Sequence, residues 1–259
     1  MKYVRLALPI LCVLGGVASA AQTAPPAASG PSLTVDEVIA KNLQAKGGVD
    51  LLKSTETVRM TGEVTSPRGP FKMTISAKRP DRRRTDAERK TETGEIQKLT
   101  EAFDGTNGWL KMGPLPAQLV PPGPGLENAK RQAQFDTGLL NYKDTAQKAE
   151  LVSKERVDGA YHLRLTATDG TATNYFIDAA TGLERRTVTS MRGPSGAPLV
   201  LETRFSDYRK VDGRMVPFVV ETLQDGKPIY KTQLEKIEFN VPIDDSFFRM
   251  PPRAPDPAP

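Results

Sequence analysis

The chain has 259 residues, 38% of them hydrophobic and 26% charged, with one cysteine and one histidine. That content can bury a sizeable core, whereas a single cysteine excludes an internal disulfide and a single histidine excludes a multi-histidine metal centre. The formal net charge is +5, but charges alternate in sign along most of the chain, without the one-sided basic face of a nucleic-acid binder.

Residues 1–20 read as a signal peptide: Lys2 and Arg5 make a positive start, Leu6 to Val17 an apolar run, and Ala18-Ser19-Ala20 a small-x-small cleavage pattern. Cleavage is expected after Ala20, with Ala21 the alternative. The run falls short of the roughly 20 apolar residues that cross a bilayer, and no later stretch approaches that length. Cys12 lies inside it; a lipidation site would need a small residue before the cysteine, and Leu11 stands there. Cys12 is therefore an apolar filler that leaves with the signal. Removing Lys2 and Arg5 from the 36 basic residues leaves 34 against 31 acidic, a net charge of +3.

Residues 21–33 form a small-residue and proline linker predicted to be disordered. The folded region is then predicted over 34–250, as a single domain. Thr34 and Glu37 make a capping box, and Val35, Val38, Ile39 and Leu43 follow at helical spacing. Gly47-Gly48 ends that helix, and a short second turn is expected over 49–53. From Thr57 the period becomes two. Val58, Met60, Gly62 and Val64 alternate with polar residues, and after a turn at 67–70 so do Phe71, Met73, Ile75 and Ala77, which predicts a hairpin with one apolar and one wet face. The pattern resumes at Leu151 and Val157, then at Tyr161, Leu163 and Leu165. Further strands are expected around Tyr175-Phe176-Ile177 and over 187–191, 199–205, 216–222 and 230–239. Asp-Gly pairs at 104–105, 158–159, 169–170, 212–213 and 225–226 accommodate the positive φ of tight hairpin turns, and they predict an antiparallel meander.

One segment breaks the pattern. Residues 113–125 hold five prolines and cannot be a central strand. Residues 127–135 then look helical, and Leu139-Leu140-Asn141-Tyr142 is an apolar patch. Such an excursion is either a lid over a binding site or a packed surface insertion. The chain closes on a proline-rich tail, 251–259.

Catalytic patterns are largely missing. His162 alternates with Tyr161 and Leu163, which sets it on the wet face. Gly193-Pro194-Ser195-Gly196 lacks the spacing of a nucleophile elbow and reads as a hairpin turn, and no phosphate-binding glycine loop occurs. Asp244-Asp245 reads as a turn or helix cap. Arg82-Arg83-Arg84 and Arg185-Arg186 read as solvated strand faces or charged edges, with contact to anionic head groups the alternative. Trp109 follows the 104–108 turn, either as core or as the rim of a cavity closed by 113–142.

Several strings together resemble the LolA/LolB-like superfamily, and within it the bacterial outer-membrane lipoprotein-sorting group: TVDEVIAKNLQAKGGVDLLKSTETVRMTGEV, FDGTNGWLKM, FDTGLLNYKDTAQKAELVSKERVDGAYHLRLTATDG, YFIDAATGLERR, FSDYRKVDGRMVPFVVE and KIEFNVPIDDSFFRMP. They are scattered over most of residues 34–251, and none is a catalytic signature. The resemblance implies a mainly β (α+β) fold, a half-open antiparallel β-barrel of about eleven strands with helices covering the concave face. It also implies a periplasmic carrier or chaperone that holds acyl chains of a lipid or lipoprotein between sheet and helices, without catalysis or cofactor. A monomer is expected, with an envelope membrane complex as a further partner. The alternative is a non-catalytic interaction or scaffold domain of such a complex. Alternation and closeness to the excursion select Met60, Val64, Phe71, Met73, Ile75, Trp109, Leu139, Leu140, Leu163, Leu165 and Phe176 as cavity positions, and the ligand space is expected between helix 34–45 and the sheet.

Overall fold

Local chemistry starts the fold as expected. The Thr34 hydroxyl accepts from the Glu37 N–H, and the Glu37 carboxylate accepts from the Thr34 N–H at 2.7 Å, so two otherwise orphan donors at the head of helix α1 (Val35–Ala45) are satisfied. Its stripe of Val38, Ile39 and Leu43 is buried. A five-residue helix α2 (Val49–Lys53) follows. The computed structural model describes residues 33–145, 147–153, 158–192 and 197–252. The signal segment with Cys12, most of the linker, Val157, Gly193–Gly196 and the end of the tail lie outside the described residues.

Every strand among the described residues belongs to one antiparallel sheet. Strands β1 (Thr57–Thr65), β2 (Phe71–Lys78), β3 (Arg82–Lys90), β4 (Ile96–Phe103), β5 (Gly108–Met112) and β6 (Gln118–Leu119) run as a meander to one edge. After helix α3 (Pro124–Ala133), a second meander begins at the opposite edge with β7 (Lys148–Leu151), β8 (Ala160–Thr166), β9 (Ala172–Asp178) and β10 (Glu184–Arg192). It continues inward through β11 (Pro198–Val211), β12 (Arg214–Gln224) and β13 (Lys227–Phe239), and β13 pairs with β1 to join the halves. The sheet thus has thirteen strands where eleven were expected, and its edges β6 and β7 do not pair. The excursion, excluded by its prolines as a central strand, supplies β6, two residues at an edge, where proline neighbours are tolerated.

The Asp-Gly pairs sit at hairpins. At 212–213 and 225–226 both residues have positive φ and form complete two-residue connections, the geometry whose twist matches flanking strands. At 104 and 169 the aspartate side chain instead accepts backbone N–H groups two or three residues on.

Register separates the two faces. Leu110, Glu101, Thr85, Ile75, Met60 and Ile237 form one rung across six strands; Val64, Thr232, Val220 and Phe205 form another on the same side. The same parity carries through Thr203, Thr187, Tyr175, Leu163 and Leu151. Opposite-charge pairs directly facing each other populate the other side, among them Glu88–Lys98 and Glu221–Lys231, the cross-strand arrangement that stabilises a solvated face.

Both larger helices lie on the first face, and chain length shows that this face is concave. Gln132 of α3 bonds Arg83 on β3, while Leu139 packs with Leu163 and Leu165 on β8. Eight strand-to-strand steps separate β3 from β8, about 38 Å if flat at ~4.8 Å each. The seven residues from 132 to 139 reach at most about 25 Å, so the sheet curls around them. A bulge aids the curl: Thr61 pairs with Lys236 but Gly62 with Leu234, which leaves Glu235 as an extra residue on β13. Such a residue bends the strand and raises its twist. Glycine is required there, since a Cβ at 62 would stand 2.2 Å from the Gln233 carbonyl oxygen.

Candidate ligand-binding face

Three stretches of the concave face differ in what covers them. Over β7–β9 the cover is α1. Val38, Leu139, Leu163 and Ile177 are each 0% exposed, and Ile39 and Leu165 only 3%. The ligand space expected between helix 34–45 and the sheet is therefore filled: Leu139, from the excursion, occupies it, with Leu140 half-buried at its margin. Leu139, Leu163 and Leu165 are packed core in this state.

Over the middle strands the face is apolar but only partly covered. Met60, Phe71, Met73 and Ile75 are half-buried, as are Phe205, Val220 and Leu234, with Val64 and Ile237 buried beside them. The main helix seats lie elsewhere, α1 on β7 and α3 on β3, β4 and β5.

Over β3–β5 the cover is α3, and here a cavity of about 250 Å³ remains between helix and sheet. Its floor is Arg83, Thr85, Glu101, Phe103 and Leu110, and Asn128, Ala129 and Gln132 of α3 face them. The helix can lie this low because β5 begins with Gly108, where a Cβ would meet Leu126 at 3.2 Å and Val120 at 3.3 Å.

Two of the selected positions point the other way. Trp109 shares a rung with Ala102 and Arg84 on the convex face, 2% exposed. Its indole N–H donates to the Phe248 carbonyl at 2.8 Å. It is the seat of the C-terminal 3-10 turn (Asp245–Phe248), which Asp244 caps by accepting from the Ser246 N–H. The Arg84 guanidinium lies over both the Trp109 and Phe247 rings. Phe176 is also convex, stacked on His162 at 4.4 Å with the Arg186 guanidinium over it. Strand parity, not distance from the excursion, decides both, although Trp109 is among the residues that line the α3 cavity.

The excursion is fastened rather than loose. The Phe135 N–H donates to the Pro80 carbonyl, and the Arg79 guanidinium lies over the Phe135 ring and pairs with Asp136. Arg79 also donates to the carbonyls of Leu52 and Thr55 at 3.0 and 2.6 Å, and Arg214 donates to Leu51 at 3.1 Å. Two arginines thereby satisfy carbonyls left over at the end of α2. Tyr142 and Lys143 both reach Asp36 on α1, and these contacts hold the Asp36 carboxyl below its ordinary pKa. Leu115 and Leu119, earlier in the same excursion, are 52% and 56% exposed.

The sequence offered Arg83 only as part of a basic triplet, on a solvated face or against anionic head groups, and strand register separates it from its neighbours. Its neighbours form ion pairs outside the concave face, Arg82 with Asp245 at 3.3 Å and Arg84 with Asp86 at 2.9 Å. The Arg83 side chain points inward to Gln132, with Nη1 at 2.6 Å from Oε1. Burial pushes its pKa down, against the pull of Glu101. Among the described residues no three His, Cys, Asp or Glu side chains come together as a metal site, and no helix is long and apolar enough to cross a membrane.

No family model matches the sequence, and no curated protein matches it. Solved structures do. A LolA superfamily protein from Nitrosomonas europaea aligns over 84% of this chain and 98% of its own, with a TM-score of 0.55 at 12% identity. The fold is LolA-like. A DUF1329 family protein from Desulfovibrio piger aligns over 83% of this chain and 97% of its own, with a TM-score of 0.58, also at 12% identity. Within this LolA-like sheet the two larger helices lie over the flanks of the concave face, and the middle stretch and the α3 cavity are what they leave unfilled.

Proposed function

We propose that this chain is a periplasmic lipid- or lipoprotein-binding carrier, exported by the 1–20 signal, whose single domain over 34–250 holds acyl chains without catalysis or cofactor. The observation that carries the reading is the half-buried apolar stretch of Met60, Phe71, Met73, Ile75, Val220 and Leu234 on the concave face, outside the main seats of α1 and α3. Apolar side chains on a curled sheet shield a hydrocarbon, and each methylene moved out of water contributes ~0.8 kcal/mol. The LolA-like fold supports the same use.

The test is native mass spectrometry with lipid extraction of the protein purified from its own envelope, alongside Met73→Glu. Wild type is expected to carry acyl lipid, and the variant to lose it while keeping its melting temperature, because the new charge stands where hydrocarbon should lie. A second reading, a ligand-free interaction domain of an envelope complex, is favoured by the solid packing beneath α1. Lipid-free wild type that also fails to take up an added fatty acid would leave that second reading standing and end the first.

A further inference from the structure

Resting on the carrier reading, we infer that the α3 cavity receives the head of the acyl ligand and that this head is a singly charged oxyanion, a carboxylate or a phosphodiester, held by Arg83. The cavity's volume of about 250 Å³ is below the ~300–1,000 Å³ of sites that enclose a whole ligand. It suits a head group and the start of a chain.

Charge decides the kind of head. A guanidinium remains protonated and offers five N–H donors in a planar fork. Arg83 donates one of them to the neutral Gln132 oxygen, and among the described residues it enters no ion pair within 4 Å, unlike Arg82 and Arg84. Its one hydrogen-bond partner is neutral and the Glu101 carboxylate acts on it only through space, so this half-buried cation has no directly paired counterion, which is costly unless one arrives. An oxyanion matches the fork in shape and charge. Glu101 shares the floor, so a doubly charged phosphomonoester would meet repulsion that a monoanion largely avoids. Thr85, Asn128 and Gln132 supply neutral polar groups beside it.

Register gives the chain its way out. Thr85 on the cavity floor is one step from Ile75 and two from Met60 on a single rung. An acyl chain whose head lies at Arg83 therefore passes directly onto the open apolar stretch.

Three ligands of equal chain length test this by isothermal titration against the full mature chain: palmitate, palmitoyl lysophosphatidylglycerol and hexadecanol. Wild type is expected to bind one or both anions at least about tenfold more tightly than the alcohol, the scale of a charge-assisted hydrogen bond. Which anion shows the preference identifies the head. Arg83→Met should bring the anions to the alcohol's affinity and leave the alcohol within about twofold, with an unchanged or higher melting temperature, since an unpaired charge leaves a half-buried site. Ala129→Phe, which fills the cavity and keeps Arg83, should also abolish the anion preference, and it serves if Arg83→Met does not fold. Equal wild-type affinity for all three overturns the head assignment and leaves the carrier reading intact. An equal loss for all three in Arg83→Met would make Arg83 merely structural. No binding of any ligand to wild type ends both readings.

Discussion

Asp178 shows how much one side chain organises. At the β9–β10 turn its Oδ1 accepts from the N–H groups of Ala180 and Thr181 at 3.0 and 2.7 Å, while Oδ2 pairs with Arg185. These donors, the Thr181 N–H first, lower its pKa from the ordinary 3.8 to about 2. Because the folded value lies below the unfolded one, its stabilisation is complete above about pH 5 and is lost as pH falls toward 2. Allowing for screening of the half-exposed Arg185, it amounts to about 1–2 kcal/mol. Urea midpoints of wild type should therefore fall between pH 5 and 2 more steeply than those of Asp178→Asn; parallel profiles would refute the assignment. The arginine triplet was less readable at this scale. Three identical letters conceal three environments, because which of them points inward depends on the hairpin at 79–81. Once Ala77 is known to face Arg83 across that hairpin, period-two alternation places Arg83 inside and its neighbours outside.

Among elements, α1 was legible in full because its signals are local: a capping box, a stripe at helical spacing, a glycine stop. The Asp-Gly hairpins were legible for the same reason. Strand β3, Arg82–Lys90, carries Ala87 as its one apolar residue, so no apolar alternation announces it. Its outer face is ion-paired and its inner face floors a polar-edged cavity. The excursion had the right apolar residues, but the sequence could not say what they touch, since their partners lie tens of residues away on α1 and β8. The structure makes Leu139 the pin between α1 and the sheet, 0% exposed. Leu139→Ala should lower unfolding free energy by about 2–5 kcal/mol, as buried leucine truncations do, and should speed hydrogen exchange across α1. Leu119→Ala on exposed β6 should stay within about 0.5 kcal/mol. An α1 that exchanges as slowly in Leu139→Ala as in wild type would show that the strap rests on the helix without holding it.

The whole molecule is two local meanders joined by one long-range seam. Strands β1 to β6 pair in sequence order, and so do β7 to β13; among the strand pairings only β1 with β13 joins residues more than 160 positions apart, as in Val58 with Phe239. Nothing in the sequence marks that seam, because loop closure over such a span leaves no local pattern; the open middle of the concave face lies directly on it. Stability should therefore be unevenly distributed, with the edges opening locally and the seam opening only with the entire sheet. Gly62 gives the test. A methyl group there would stand 2.2 Å from the Gln233 carbonyl and 2.9 Å from the Leu234 Cα, so Gly62→Ala must push β13 away from β1. Since both contacts are backbone, no side-chain rotation relieves them. The expected outcome is a loss above about 3 kcal/mol, in the range reserved for packing or backbone failure, with hydrogen exchange rising together in β2 and β12 on either side. If exchange rises in β1 and β13 alone and the flanking strands keep wild-type protection, each meander stands by itself and the seam does not govern the fold.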